Sequence, residues 1–278
     1  MDRELLLTLL MLGVAGLAVF VAAGRRLPRD RPTVASDEER LCWRGVWRPV
    51  APALVVGCAL LGWAFVQREP AELIPRSLAA LSALFAGVWL RACVRAVKAM
   101  RTRPSDALAV TVGLWRPRTT LSPDLVAHLD AEALAAVLAH EAAHVRHRDP
   151  IRIWLAQFAT DVQWPRPGAP IRFQQWRRAL ELARDEEARR AGIDGPDLAA
   201  GILAAARLEP TASTGAALTG AWVDLEDRVA RLLAPLPDEK PHPVPAVGFT
   251  LPLVCVAAAL IGARFGVAVL RTVFHLLP

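Results

Sequence analysis

The chain has 278 residues, of which 54% are hydrophobic, with a mean hydropathy of +0.32 and a formal net charge of +6. This apolar content is unusual for one soluble domain and indicates a membrane protein with basic flanking segments. The four cysteines form no Cys-x-x-Cys pair, so neither a disulfide framework nor a zinc ribbon is indicated.

Four apolar runs are long enough to cross a bilayer as helices. They comprise residues 5–24, 50–66, 77–94 and 246–263. A buried core helix is the alternative for each run, and a cleaved signal peptide is a further alternative for the first. Four such runs in so short a chain favour the membrane. We therefore expect three transmembrane helices within residues 1–104, and a fourth with a short outer tail within residues 246–278.

The distribution of basic residues predicts the orientation of these spans. Seven arginines lie in residues 25–48 and five basic residues lie in residues 91–103, whereas the loop between the second and third runs carries two arginines. Because Lys and Arg concentrate in cytoplasmic loops, we expect residues 105–245 to be cytoplasmic and the protein to be a multi-pass protein of the cell membrane. Membrane topology then accounts for the basic charge. We expect contact with membrane lipid and no direct nucleic-acid binding.

Residues 105–245 are more polar and predict a mostly helical domain. "DALAVTVGLW" alternates and predicts a short strand. Asp130 is placed to cap a helix over "AEALAAVLAHEAAHVRH", and Pro150 ends that helix and begins the next. A third helix follows at "IRFQQWRRALELARDEEARRAG", and a later one includes "LEDRVARLL". The predicted fold class is mainly α: a polytopic membrane protein with about four transmembrane helices and a helical domain carrying a short β element.

"HEAAH", at residues 140–144, has the pattern His-Glu-x-x-His. On a helix, residues four apart differ by about 40° in direction, so His140 and His144 can bind one Zn²⁺. Glu141, about 100° away, lies beside the ion, where it can serve as general base on an attacking water. The alternative is a solvated helix with two surface histidines.

A catalytic zinc site needs a third protein ligand and an open position. In "LELARDEEA", Glu181 and Asp185 are four residues apart, an arrangement in which the glutamate completes the ligand set and the aspartate holds a ligand imidazole. Taken alone, such a pair on an arginine-rich helix is typical of a solvated face. His147 is the rival third ligand. Three ligands on one straight helix would span about 10 Å, too far for one ion, so we expect Glu181.

The stretches "VGLWRPRTTLSPDL", "LDAEALAAVLAHEAAHVRHRDP", "ELARDEEA" and "LEDRVARLL" occur in this order between Asp106 and about Leu233. In this the chain resembles the BlaR/MecR-type antirepressor membrane metallopeptidases. The resemblance implies a cytoplasmic, gluzincin-type zinc metalloprotease domain between the third and fourth spans. It assigns zinc to His140, His144 and Glu181, the role of base to Glu141, and the support of an imidazole to Asp185.

The resemblance also implies regulatory proteolysis of a cytoplasmic repressor, for which a winged-helix transcriptional repressor is a candidate, or of the protease itself. One departure is that the sequence contains no Ser-x-x-Lys and ends soon after the fourth run, so we expect no C-terminal penicillin-binding sensor domain. Two alternatives stay open. One is a quality-control zinc protease of the heat-shock membrane type, and the other is a non-catalytic membrane signalling receptor, against which the intact Glu141 argues.

Overall fold

The structure, a computed structural model, describes residues 32–52, 54–55, 58–59, 62, 76–101, 109–208, 215–238 and 254–264. Eight helices and two strands have defined bounds within these residues, and the described positions of 51–62 and 254–264 are helical as well. In chain order they are α1 (Ala35–Trp47), α2 (Arg76–Arg101), β1 (Ala109–Val112), β2 (Arg118–Leu121), α3 (Pro123–His128), α4 (Ala131–His147), α5 (Asp149–Asp161), α6 (Gly168–Arg190), α7 (Gly195–Leu208) and α8 (Gly215–Leu233). The fold is mainly α with one small sheet, as the sequence predicts.

The start and end of α4 follow from local sequence. The Asp130 carboxylate accepts a hydrogen bond from the backbone N–H of Ala133 at 2.8 Å, which satisfies one of the free donors of the first turn. At the other end Arg148 takes a left-handed conformation with φ 52°, and Asp149 and Pro150 begin α5 directly afterwards. Because only one residue separates the two helices, Asp149 is carried back towards the last turn of α4.

The small sheet is an antiparallel hairpin in which Ala109 pairs with Leu121 and Val112 with Arg118. The sequence predicted the first strand only; "RTTL" of β2 was not recognised. Gly113 begins the turn at φ +98°, a region that glycine adopts without strain, and a Cβ there would lie 2.7 Å from the carbonyl oxygen of Arg116. Both strands pack against α4, which places β1 beside the His-Glu-x-x-His motif.

Helix α1 is the largest departure from the sequence-based picture, which treated residues 25–48 as a basic loop. It packs along α6 and also contacts α5. A single apolar core joins α1, α2, α5 and α6. Its buried members are Val46, Val50, Ala92, Ala156, Ala159, Val162, Phe173, Trp176 and Leu180. The segments on either side of the predicted second span therefore share one core with α5 and α6, the two helices that follow α4 in the chain.

Helix α2 is tied to α5 by polar contacts as well. The Trp154 indole donates to the carbonyl of Ala96 at 2.9 Å, and Arg95 Nε donates to Asp161 at 3.0 Å. Asp161 is buried, and Arg91 lies 3.7 Å from its other oxygen. These contacts hold the last turns of α2 against the domain that follows it.

The predicted transmembrane runs are only partly described. The first lies outside the described residues, the second is described at a few positions, the third falls within α2, and the fourth overlaps the helical residues 254–264. No helix among the described residues combines the length and the hydropathy needed to cross a bilayer. The chain around Gly62 and the chain around Gly262 approach each other closely. A Cβ on Gly62 would overlap the carbonyl of Ala259, and a Cβ on Gly262 would overlap the carbonyl of Ala59.

A second core brings α7 and α8 against α4 and α6. Its buried residues are Ala136, Ala188, Leu198, Ala199 and Leu232. At its edge Gly195 meets the last turn of α8 so closely that a Cβ would overlap the Leu232 carbonyl oxygen. Glycine at this position allows α8 to lie against the start of α7.

We therefore expect Gly195→Ala to destabilise the fold, because the clash is with backbone that has little freedom to move. Overpacking of this kind costs about 1–3 kcal/mol, which should lower the thermal unfolding midpoint by several degrees. Gly87→Ala in α2 is the control, since a Cβ there has no heavy atom within 4 Å. Equal midpoints for the two variants would contradict the close packing of α7 on α8.

Candidate metal centre

His140 and His144 lie one turn apart on α4 and are both buried. Their Nε2 atoms are 3.0 Å apart, so the two imidazoles converge on one point. Two nitrogens at this distance can share at most one hydrogen between them. Once both Nε2 atoms are deprotonated, the pair presents two lone pairs to a common position, which is the arrangement that a metal ion requires.

Glu181, on α6, faces the same point from another helix. Its Oε2 atom lies 3.5 Å from Nε2 of His140 and 3.8 Å from Nε2 of His144. Ligand atoms on a tetrahedral ion with bonds of roughly 2.0–2.1 Å are separated by about 3.3 Å, so these three atoms are spaced to fit one such ion. The structure thus brings together the three residues that the sequence predicted as ligands.

Glu141 lies beside the same position. It is buried, and a carboxylate oxygen, with one nitrogen from each of His140 and His144, belongs to a group of ligand atoms all within 4.8 Å of one another. The Thr111 hydroxyl, on β1, donates to Glu141 Oε2 at 2.7 Å. Thr111 was missed by the sequence reading, because nothing in "AVTV" marks a strand hydroxyl that will meet a helix thirty residues later.

A carboxylate also lies against the Nδ1 atom of each imidazole. Asp185 Oδ1 lies 2.9 Å from Nδ1 of His140, in a close contact whose angle is not that of a linear hydrogen bond. Asp149 Oδ2 lies 2.8 Å from Nδ1 of His144, and the Asp149 side chain is almost fully buried. Such partners fix the tautomer and the direction of a ligand imidazole and increase its basicity.

The sequence predicted Asp185 in this role but missed Asp149. Asp149 precedes Pro150, the residue at which the sequence predicts the end of one helix and the start of the next, and it received no role of its own. The recognisable signal was its position five residues after His144 at a one-residue helix junction, where the chain must turn back.

Arg228, on α8, completes the support of the carboxylates. Its Nε and Nη2 donate to the two oxygens of Asp185 at 2.8 and 2.9 Å, and Nη1 lies 3.4 Å from Oε2 of Glu181. Burial raises the pKa of Asp185, but Arg228 and His140 outweigh it and hold that pKa below its ordinary value. From the sequence alone, no role was predicted for this arginine of "LEDRVARLL".

The electrostatic balance of the site favours positive charge at the point of convergence. Burial alone would lower the pKa of His144, but hydrogen bonds with Asp149 and Glu181 outweigh burial and raise the pKa to about 9. Burial alone would raise the pKa of Glu181. His140, His144 and Arg228 outweigh burial and hold that pKa well below its ordinary value. A metal ion that binds here must displace protons from the imidazoles, and it then takes over their charge.

His147 lies apart from this arrangement. Its side chain is 45% exposed, and its Nε2 atom is 2.8 Å from Oε2 of Glu187. Arg146 donates to the other oxygen of Glu187 at 2.8 and 3.1 Å. The nitrogen that would have to reach the metal is thus engaged with a surface carboxylate.

Comparison with protein-family models gives a match to the BlaR1 peptidase M56 family over residues 16–191. The matched range contains the histidine pair, Glu141, Glu181 and Asp185, and it also contains α1. Comparison with curated proteins and with solved structures finds no match. The family match spans more than half of the chain and agrees with a buried His-Glu-His group able to hold a metal ion. The chain belongs to the BlaR1 peptidase M56 family of metallopeptidases.

Proposed function

We propose that the protein is a membrane-anchored zinc endopeptidase in which His140, His144 and Glu181 bind the ion. The observation that carries the proposal is the convergence of two Nε2 atoms and one carboxylate oxygen, with each opposite Nδ1 atom facing a carboxylate. Two imidazoles and one carboxylate form a ligand set typical of catalytic zinc, which leaves a position open to substrate and water.

Zinc supplies Lewis acidity, which polarises a peptide carbonyl and acidifies water. Glu141 is the general base: its Oε2 is held by the Thr111 hydroxyl, which leaves Oε1 to accept a proton from the attacking water. The same carboxyl then delivers that proton to the amine that leaves. Thr111 keeps the Glu141 side chain in one orientation. A general base held in its reactive orientation is more effective than a mobile one.

Arg228 and Asp185 act on the geometry of the ligands. The paired hydrogen bonds from Arg228 fix both oxygens of Asp185, which in turn faces His140. The same guanidinium lies beside Glu181 and offsets part of the negative charge gathered in the site. Without that offset, carboxylates so close to one another would disfavour their ionised forms.

The role of this peptidase is regulatory, with a cytoplasmic protein as its substrate. A winged-helix transcriptional repressor, or the chain itself, is the substrate class that we propose, as the resemblance to the BlaR/MecR-type antirepressors implies. The multi-pass arrangement is supported by the four apolar runs and by the arginines concentrated in residues 25–48. Comparing the proteins of cells that carry the wild type with those of cells that carry Glu141→Gln would identify the substrate, because only an intact protease would shorten it.

Glu141→Gln should keep the zinc and lose proteolysis, because the amide cannot accept a proton from water. We expect a loss of at least about 10²–10⁴-fold, the usual contribution of a general base. Glu132→Gln, at an exposed position in the first turn of the same helix, should retain activity. Metal content and cleavage of an unfolded protein substrate measure the two properties separately. Cleavage by Glu141→Gln at the wild-type rate would overturn the mechanism.

Removal of Glu181 and of His147 should have opposite consequences. Glu181→Ala removes a proposed ligand and should lose most of the zinc together with activity. His147→Ala breaks only an exposed contact with Glu187 and should keep both. Zinc content per chain after desalting gives the comparison. Normal zinc in Glu181→Ala with loss in His147→Ala would show that the ligand set is different.

A further inference from the structure

Two neighbouring carboxylates on α1, Glu38 and Glu39, are buried although the helix lies in an arginine-rich segment. Burying a charge is costly unless it is paired, so each should have a specific partner. Glu38 lies 3.5 Å from Arg231 on α8. Glu39 contacts two arginines on other helices, Arg152 of α5 and Arg184 of α6.

The arginines that meet Glu39 are the ones that hold Asp149. Arg184 donates to the two oxygens of Asp149 at 2.5 and 2.9 Å, and Arg152 Nη1 donates to Oδ1 at 2.8 Å. The other Arg152 amino group, Nη2, donates to Glu39, while Nη1 of Arg184 lies 3.7 Å from it. Two guanidinium groups therefore bridge a carboxylate on α1 to the carboxylate that faces His144.

Aromatic rings restrict where Arg152 can lie. Its guanidinium carbon is 5.1 Å from the ring centre of Trp43 on α1 and 5.8 Å from that of Trp176 on α6. Cation–π contacts of this kind favour one position of the cation. Arg184 has a further carboxylate at 3.6 Å, Glu187, but that residue is half-exposed and also binds Arg146 and His147.

We propose that Glu39 is a positioning residue of the metal centre, so that the docking of α1 sets the direction and the metal affinity of His144. The inference rests on the proposed function, since it concerns the same zinc site. Glu39 and Asp149 together balance two guanidinium charges. In Glu39→Gln one guanidinium charge loses its counter-ion. That guanidinium then competes with His144 for Asp149 and adds positive charge close to a dication. Both effects weaken zinc binding, and burial leaves them little screened.

Helix α1 lies just before the predicted second span in the chain, so the ion pairs of Glu39 lie close to that segment in sequence. The backbone N–H of Ala35, at the start of α1, donates to Glu186 of α6 at 2.9 Å. Val46 near the end of α1 and Val50 shortly after it lie in the shared core. The predicted second span begins at Val50. A change in the position of α1 would therefore change the charges around Asp149, which faces His144.

The test compares Glu39→Gln with Glu38→Gln in the full-length protein, using zinc affinity measured by competition with a chelator. The two positions are adjacent, buried and of the same residue type, but only Glu39 contacts the arginines behind Asp149. We expect Glu39→Gln to bind zinc about 3- to 10-fold more weakly, somewhat less than the loss usual for a direct partner of a ligand, and Glu38→Gln to match the wild type. The absorption spectrum of the Co²⁺-loaded protein should change in Glu39→Gln only.

Arg152→Lys is the second variant, used whether or not Glu39→Gln folds. It keeps the positive charge but not the planar fork that reaches Glu39 and Asp149 together, so its zinc affinity should also fall. Unchanged affinity in Arg152→Lys or in a folded Glu39→Gln would overturn the proposal, and so would equal losses in Glu38→Gln and Glu39→Gln, which would mean that α1 only stabilises the fold. A wild-type protein that binds zinc without cleaving any substrate would contradict the proposed function and leave this comparison of affinities intact.

Discussion

The site depends on one repeated interaction, the contact between a buried carboxylate and the Nδ1 atom of each histidine. Asp185 provides it for His140 and Asp149 for His144, and both aspartates are in turn held by arginines. An imidazole whose Nδ1 is engaged can offer only Nε2 to a ligand. The two Nε2 atoms consequently meet 3.0 Å apart, at a point that Glu181 also reaches.

Several elements of the fold place these carboxylates and the arginine that binds one of them. The left-handed residue Arg148 returns the chain so that Asp149 lies behind His144. The long helix α6 carries Glu181 and Asp185 one turn apart on the face towards α4. Close packing at Gly195 brings α8 near enough for its arginine to hold Asp185. Buried charges of this number are tolerated because each has an opposite partner, and removing one member is expected to be costly.

Local patterns in the sequence were sufficient for the catalytic helix. The cap at Asp130, the spacing of the two histidines and the Glu-x-x-x-Asp pair each depend on residues within one or two turns, and the structure places them as expected. The residues that sequence reasoning missed act across long separations. Arg228 lies 43 positions from Asp185 along the chain, and Glu39 lies 113 positions from Arg152. A buried ion pair leaves no periodic signal in either helix, so a charged segment such as α1 resembles a solvated loop until its partner is known.

X-ray absorption spectroscopy at the zinc edge would show directly which kinds of side chain hold the ion. Outer-shell scattering from imidazole rings counts the histidines on the ion. We expect two imidazoles and oxygen ligands, with nitrogen and oxygen at roughly 2.0–2.1 Å and no sulfur. In Glu181→Ala the protein that retains zinc should still show two imidazoles. Three imidazoles in the wild type would place a further histidine on the ion and would contradict the geometry described here.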